Sequence, residues 1–181
     1  METKRSPFDI VGQLETLRRY ARSLVRNADE AEDLVHDALV RAYEHESSFR
    51  RGANIRNWLL SIVHNTHIDR IRRARSQTRR VEAAAQVTEQ AAPADQDHAV
   101  RLRQVREAFF ALPEEQREAL HLVAMEDLSY QEAADALGIP VGTLMSRISR
   151  AREKLRNFED QAGAANGGHL RLIGGADNEK R

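Results

Sequence analysis

The sequence is poor in several residue types on which redox and membrane proteins depend. Its 181 residues include no cysteine, which excludes disulfide frameworks, thiolate metal sites and thiol nucleophiles. Aromatic residues make up 5% of the chain, which favours one or two small domains over a single large core. No apolar run approaches the roughly 20 residues of a membrane span, and the opening METKRSPFDI has no apolar signal region. We therefore expect a cytoplasmic protein without membrane insertion.

Net charge is also absent, but the charges are segregated along the chain. The 28 basic residues balance 28 acidic ones. Acids dominate from Ala28 to Glu46, where Arg41 is the single arginine or lysine, whereas residues 70–80 hold six arginines and no acid. Nucleic-acid binding responds to local patches, so a neutral total does not exclude it. The segregation indicates two kinds of partner, although solvated surface faces also produce such blocks.

Helical periodicity runs through the first 75 residues. Apolar residues recur at helical spacing over 14–24, and Asn27 is suited to cap a second helix that continues to about Glu46. Its predicted buried side carries Val35, Ala38, Leu39 and Ala42, and its acids Asp29, Asp33 and Asp37 form an exposed acidic stripe. Ser, Gly and Asn in 47–54 predict a loop, and a long helix follows over 55–75.

The composition changes after residue 80. Residues 81–98 are rich in Ala and Gln and contain Pro93, which predicts a flexible linker. Order resumes near residue 99, and the Gly-rich residues 161–181 are predicted to be a mobile tail. The apolar face expected after the linker comprises Leu102, Val105, Phe109 and Leu112. The sequence thus predicts an all-α protein in which two small helical domains, 1–80 and 99–160, flank the linker.

Residues 130–155, YQEAADALGIPVGTLMSRISRAREKL, predict a helix-turn-helix within the second domain. Ser129 and Glu132 fit a capping box, and Gly138 with Pro140 fits the corner between two helices. The second helix directs Leu144, Ile148, Ala151 and Leu155 inward and leaves Thr143, Ser146, Arg147 and Arg150 on other faces. Arginine can bind guanine edges or phosphates, so the pattern favours DNA binding over a helical hairpin with an ordinary basic surface.

Two stretches of the chain carry a family resemblance. DLSYQEAADALGIPVGTLMSRISRAREKLR resembles the promoter-binding domain of bacterial RNA polymerase sigma factors, and PVGTLMSRISRARE resembles the extracytoplasmic-function (ECF) group. AEDLVHDALVRAYEHESSFRRGANIRNWLLSIVHNTHIDRIRR is similar to the other domain of that group. The resemblance covers about 14–158. It implies a sigma factor that directs promoter-specific initiation, in a stress or environmental response, and is restrained by an anti-sigma factor.

The resemblance also implies where core RNA polymerase binds. Asp33, Leu34, Val35 and Asp37 match the DLVx(D/E) signature of the family. The implied polymerase-binding residues, facing the coiled coil of the beta-prime subunit, are Asp29, Asp33, Leu34 and Asp37; the beta flap is the second implied contact. An acidic stripe suits a basic partner helix, although a solvated face would look the same.

Promoter DNA is implied at two places. At the minus-ten element the implied residues are Phe49, Arg50, Arg51, Asn65, Arg70, Arg72 and Arg73, with Trp58 bracing the loop. At the minus-thirty-five element they are Thr143, Met145, Ser146, Arg147, Ser149 and Arg150. Several members of the family carry a basic residue where this chain has Met145. A methionine contact would be apolar, for example to a thymine methyl group.

Other chemistry has little support in the sequence. His64 and His67 could share a metal on one helix, but no further ligand cluster is evident, so we predict packing or phosphate contact. We predict no metal, no cofactor and no catalysis by this chain. Two rival functions are a dimeric repressor that reads a palindromic duplex and an interaction protein that mimics a sigma factor. Arg147 and Arg150 argue against the mimic.

Overall fold

A computed structural model describes residues 10–50, 52–78 and 96–166, with side chains placed at 10–50, 52–76 and 102–158. The N-terminal domain comprises α1 (Leu14–Leu24), α2 (Ala28–Glu44) and α3 (Ile55–Thr78). The C-terminal domain comprises α4 (Gln96–Ala111), α5 (Glu114–Ala124), α6 (Tyr130–Leu137) and α7 (Val141–Asn166). These described residues contain no strand, which confirms the predicted all-α class.

The helix ends follow the local chemistry that the sequence predicted. The Asn27 side chain accepts hydrogen bonds from the backbone N–H groups of Asp29 and Glu30, at 2.8 and 3.2 Å. Ser129 and Glu132 form both halves of the predicted capping box. Gly138 ends α6 with a φ of +63°, a left-handed conformation that glycine adopts without steric cost.

Four boundaries differ from the predictions. Helix α3 ends at Thr78, three residues beyond the predicted end at 75. Helix α2 ends at Glu44, two residues early, because Glu46–Ser48 tightens into a 3-10 turn. Helix α4 begins at Gln96, inside the predicted linker, and α7 continues to Asn166, six residues into the predicted tail. In the tail, three alanines among residues 161–166 favour the extension of α7. The remainder of the linker, at 81–95, and of the tail, at 167–181, lies outside the described residues.

The apolar faces predicted for α2 and the helix-turn-helix are confirmed. Wholly buried side chains fill each domain: Leu17, Leu34, Leu59, Leu60 and Val63 in the N-terminal domain, and Leu122, Leu144, Ile148 and Ala151 in the C-terminal domain. Burying a leucine or isoleucine stabilises a fold by about 1.5–3 kcal/mol. The face predicted for α4 is only half right. Leu112 is buried and Phe109 packs on the core, but Leu102 is 73% exposed and Val105 49%, since only the C-terminal part of α4 enters the core.

The two domains pack against each other, α1 on α5 and α3 on α6. The buried Arg117 of α5 donates hydrogen bonds to the carbonyl oxygens of Ser23 and Leu24, at 2.6 and 3.2 Å. These carbonyls lie at the end of α1, where the last turn lacks partners within the helix. Burial lowers the pKa of Arg117, while Glu114 and Glu118 act to raise it. One arginine side chain thereby satisfies the end of a helix in the other domain.

The carboxylate of Glu126, between α5 and α6, is the most connected group of this interface. Its side chain is 0% exposed. It accepts hydrogen bonds from Arg19 of α1 at 2.7 and 2.8 Å and from Arg56 of α3 at 2.5 Å, and His121 lies 3.2 Å away. Burial alone would raise the pKa of Glu126. The hydrogen bonds from His121, Arg19 and Arg56 outweigh burial and lower the pKa to about 2.

We expect the Glu126→Gln substitution to lower the free energy of unfolding at pH 7 by about 2–3 kcal/mol, because two arginines lose their buried carboxylate. Because the pKa of Glu126 is lower in the folded state than the unfolded value of 4.5, its carboxylate stabilises the fold at pH values above 4.5. This contribution disappears as the pH falls toward 2. The variant should therefore lose stability less steeply than the wild type between pH 4.5 and 2. Urea denaturation across this range measures both effects.

Glu107→Gln is the matched control for that substitution. Glu107 forms an exposed pair with Arg103, and such pairs contribute at most about 1 kcal/mol. Equal losses of stability in Glu126→Gln and Glu107→Gln would contradict the role of Glu126.

Candidate nucleic-acid interface

The acidic stripe of α2 is only partly available to a partner. Asp29 and Asp33 are exposed. Asp37 is paired with Arg70 of α3, whose Nη2 lies 2.5 Å from the carboxylate and 2.8 Å from the carbonyl oxygen of Asp33. Leu34 is 0% exposed, so it supports α2 from the core rather than contacting a partner in this conformation. Asp29 and Asp33 therefore present the accessible charge of the stripe.

The loop before α3 is held by an aromatic pair. The rings of Phe49 and Trp58 lie 5.2 Å apart, and Trp58 packs against the buried core, as predicted for a brace. Gly52, with a φ of +93°, turns the chain, and Asn54 caps α3 through the backbone N–H of Arg56 at 3.0 Å. Arg50 is exposed, and Arg51 lies outside the described residues.

The predicted DNA-contacting residues of α3 divide into available and occupied side chains. Asn65, Arg72 and Arg73 are exposed. Asn65 and Arg72 are seven residues apart, about two helical turns, and so lie on one face. Arg70 is engaged with the acidic stripe, so in this conformation it does not offer its charge to phosphates. The exposed side chains of Asn65, Arg72 and Arg73 can contact both a base and the DNA phosphates next to it.

The two histidines of α3 face away from that surface. His64 and His67 are buried against α5, which confirms packing and excludes phosphate contact in this conformation. Asp69, which lies near them in sequence, pairs instead with Arg41 of α2 at 2.9 Å.

In α7 the predicted DNA-contacting residues occupy two flanks of one helix. Met145 and Ser149 lie on one flank, whereas Arg150 lies on the other and is exposed. Ser146 is exposed and Thr143 is half-buried at the start of the helix. The exposed side chains of Met145 and Ser146 thus lie near the N-terminus of α7, the part of a recognition helix that contacts base edges.

Arg147 has a different environment from Arg150. It is 21% exposed and pairs with Glu115 of α5 at 3.0 Å. This pair joins α7 to α5 within the C-terminal domain, so Arg147 must leave Glu115 before it can bind a base.

The structure adds three residues that the sequence predictions omitted. Tyr130, Arg152 and Arg156 line a shallow groove together with Met145 and Ser149. Residues 145, 149, 152 and 156 follow at spacings of four, three and four, and this periodicity could have identified the flank. Arg152 and Arg156 place positive charge in the same groove as the apolar side chain of Met145.

The described helices include none that is long and apolar enough to cross a membrane. Comparison with protein families gives two matches in chain order. Residues 12–77 match Sigma-70 region 2, and residues 102–155 match Sigma-70, region 4. The first match covers α1 to α3 and their loop, and the second covers most of α4 to α7.

Relatives matched over most of their length agree with these matches. The chain is 38% identical to the ECF RNA polymerase sigma factor EcfG of Rhodopseudomonas palustris over 147 residues, 81% of each chain. It is 36% identical to the ECF sigma factor SigM of Mycobacterium tuberculosis, covering 77% of this chain and 69% of the relative.

Two solved structures share the fold. The sigma factor RpoE in complex with the anti-sigma factor NepR, from Bartonella quintana, matches with a TM-score of 0.68 and 32% identity, over 83% of this chain and 93% of that one. CnrH in complex with the cytosolic domain of CnrY matches with a TM-score of 0.61 and 27% identity, over 84% and 85%. On the sequence matches in both halves, supported by these structures, the chain belongs to the ECF group of RNA polymerase sigma factors.

Proposed function

We propose that this chain binds core RNA polymerase through α2 and directs initiation at promoters that it reads with α3 and α7. Its main support is the exposure of predicted contact residues on both domains of a chain that belongs to this family. Asp33 on α2, Asn65 and Arg72 on α3, and Arg150 on α7 are all exposed. Polymerase performs the chemistry, and the chain acts as an initiation factor.

Asp29 and Asp33 carry the polymerase contact in this proposal. Their carboxylates complement a basic helix such as the beta-prime coiled coil, and complementary charges accelerate and orient docking. Leu34 and Val35 do not contact polymerase in this proposal. They are 0% and 3% exposed and pack α2 against the core, which fixes the position of the acidic stripe.

We expect Asp33→Ala to weaken binding to purified core polymerase about tenfold, which corresponds to 1.4 kcal/mol. The loss should shrink at high salt, because exposed charges are screened. Gel filtration and titration with labelled protein measure the affinity. Glu44→Ala, at the exposed end of the same helix, is the control. Equal affinities for Asp33→Ala and Glu44→Ala would contradict the docking surface.

The minus-ten contact is assigned to the loop and outer face of α3. Phe49 is held by Trp58, so its loop is positioned before DNA arrives. Asn65 is placed to bind a base exposed by melting, and Arg72 and Arg73 to bind the neighbouring phosphates. Rebinding an unstacked base offsets the few kcal/mol needed to open a step of the duplex.

The minus-thirty-five contact is assigned to α7. Arg150 can form two hydrogen bonds to a guanine edge, whereas Met145 can contact only apolar groups such as a thymine methyl. We therefore expect Arg150→Ala to reduce promoter-specific transcripts roughly tenfold or more, since such a base contact contributes about 1–3 kcal/mol. Core polymerase binding should be unchanged, and run-off transcription with co-elution measures both.

Arg103→Ala removes an exposed arginine from α4 and serves as the control for Arg150. Full transcription by Arg150→Ala would contradict the assignment. Tight binding of the chain alone to a palindromic duplex would favour the dimeric repressor, and polymerase binding without transcripts from a cognate promoter would favour the mimic.

The packed arrangement of the two domains fits a restrained sigma factor. The minus-ten and minus-thirty-five elements are separate stretches of DNA, so we infer that the domains part when polymerase binds. The solved relatives RpoE and CnrH are complexes with NepR and CnrY. A similar anti-sigma factor would hold this chain away from polymerase until a stress or environmental signal releases it.

Separation of the domains can be measured with two dyes, since the chain has no cysteine of its own. Cysteines introduced by Glu44→Cys and Lys154→Cys would place the dyes on exposed positions of α2 and α7. We expect energy transfer to fall when core polymerase is added. The pair Arg22→Cys and Glu44→Cys, within one domain, should not change. Constant transfer in the first pair during polymerase binding would contradict domain separation.

A further inference from the structure

Two histidines and two glutamates meet where α3 of the N-terminal domain packs near α5 of the C-terminal domain. His67 Nε2 lies 2.6 Å from Glu114 Oε1, and His64 Nδ1 lies 3.6 Å from Glu118 Oε2. One ligand atom each from His67, Glu114 and Glu118 lies within 4.8 Å of the other two. Residues from two domains therefore place one imidazole nitrogen and two carboxylate oxygens around one point.

This cluster is buried and incompletely paired. The side chains of His64, His67 and Glu118 are 11%, 7% and 4% exposed. Glu118 Oε1 and His64 Nδ1 have no hydrogen-bond partner among the described residues, and neither does the hydroxyl group of Tyr20. Each such group is destabilising when it is left unpaired, and a buried carboxylate is the most destabilising of them. Unpaired polar atoms concentrated at one place call for a bound cation or water.

Of the two carboxylates, Glu114 is hydrogen-bonded to His67 at 2.6 Å, whereas Oε1 of Glu118 has no hydrogen-bond partner among the described residues. Arg117, on the same helix, directs its donors to the carbonyl oxygens of Ser23, Leu24 and Leu112. Burial, together with Glu118 and Glu114, raises the pKa of Tyr20, so its phenol stays neutral. The charge of Arg117 therefore offsets part of the negative charge of Glu114 and Glu118, but Oε1 of Glu118 stays without a hydrogen bond among the described residues.

We propose that His67, Glu114 and Glu118, with His64 beside them, bind one divalent transition-metal ion between the two domains. Imidazole and carboxylate ligands suit Zn²⁺, which takes His and Glu together in protein sites. Donor atoms around tetrahedral Zn²⁺ lie about 3.4 Å apart, as bonds of about 2.1 Å require. The His67 and Glu114 donors, 2.6 Å apart, must therefore separate, and donors that lie as far as 4.8 Å apart must approach each other. Glu114 is 38% exposed in the first turn of α5 and has room to rotate.

Metal bound here would stabilise the packed arrangement of the domains. Its ligands come from α3 and α5, so domain separation would divide the site. A ligand that binds one state alone shifts the equilibrium toward that state according to its concentration and affinity. If the proposed function holds, the metal opposes the polymerase-bound form. Binding of the metal itself does not depend on that function.

The test is calorimetric titration of the metal-free full-length chain with zinc chloride. We expect one Zn²⁺ per chain and at least a tenfold weaker affinity for Glu118→Gln, which keeps the shape of the side chain and removes its charge. His36→Gln, which changes a 78% exposed histidine on α2, should bind as the wild type does. Magnesium chloride should give no comparable binding, because Mg²⁺ prefers oxygen ligands and octahedral geometry.

The absorption spectrum of bound Co²⁺ provides a second test. A Glu118 that only stabilised the fold would not affect this spectrum. Co²⁺ in a tetrahedral site should produce visible absorption bands in the wild type that Glu118→Gln lacks. Circular dichroism checks the fold of the variant; if Glu118→Gln does not fold, Glu114→Gln replaces it, because that side chain is partly exposed. Absence of Zn²⁺ binding, or equal binding by the wild type and the folded variant, would overturn the site. Neither measurement uses polymerase, so failure of the metal site and failure of the proposed function are distinguishable.

Discussion

The packed arrangement of this protein depends on one buried carboxylate. Glu126 lies between α5 and α6, yet its strongest partners are Arg19 of α1 and Arg56 of α3. A buried carboxylate must be paired, so the C-terminal domain is stable in this form only where the N-terminal domain supplies arginines. The arginines are 44% and 32% exposed and can return to water more readily than Glu126. Domain separation therefore removes both arginine partners of Glu126 and leaves a carboxylate that must be hydrated or stay buried and unpaired.

The side chain of Glu132 takes part both in the cap of α6 and in a contact between the two domains. Glu132 accepts a hydrogen bond from the Ser129 backbone at 3.0 Å as part of the capping box of α6, and its other oxygen accepts one from Asn57 of α3 at 2.8 Å. Hydrogen bonds from Ser129 and Asn57 lower the pKa of Glu132. The residue that starts the helix-turn-helix thus also holds α6 against α3. The exposed face of α7 takes no part in this contact, so the candidate DNA-contacting residues Ser146, Ser149 and Arg150 stay accessible in the packed form.

The sequence predicted what periodicity and capping determine, namely the helices, the buried face of α2 and the corner at Gly138. It could not predict contacts between residues distant in the chain. Arg19 and Glu126 are 107 positions apart, and His67 and Glu114 are 47 apart. Periodicity identifies the apolar face of a helix but not whether another element packs on it. The prediction that Leu102 is buried is wrong for this reason. The candidate contact residues came from family resemblance, and the structure separates the exposed ones from those already paired.

The ion pair between Asp37 and Arg70 joins two surfaces that were assigned to different partners. Its carboxylate belongs to the acidic stripe, and its guanidinium belongs to the basic end of α3. A partner that takes Asp37 leaves Arg70 held only by the carbonyl oxygen of Asp33 among its described acceptors, and a phosphate that takes Arg70 releases Asp37. By thermodynamic reciprocity, each event strengthens the other by the same factor. The pair would therefore couple recruitment and promoter engagement without any movement of α2 relative to α3.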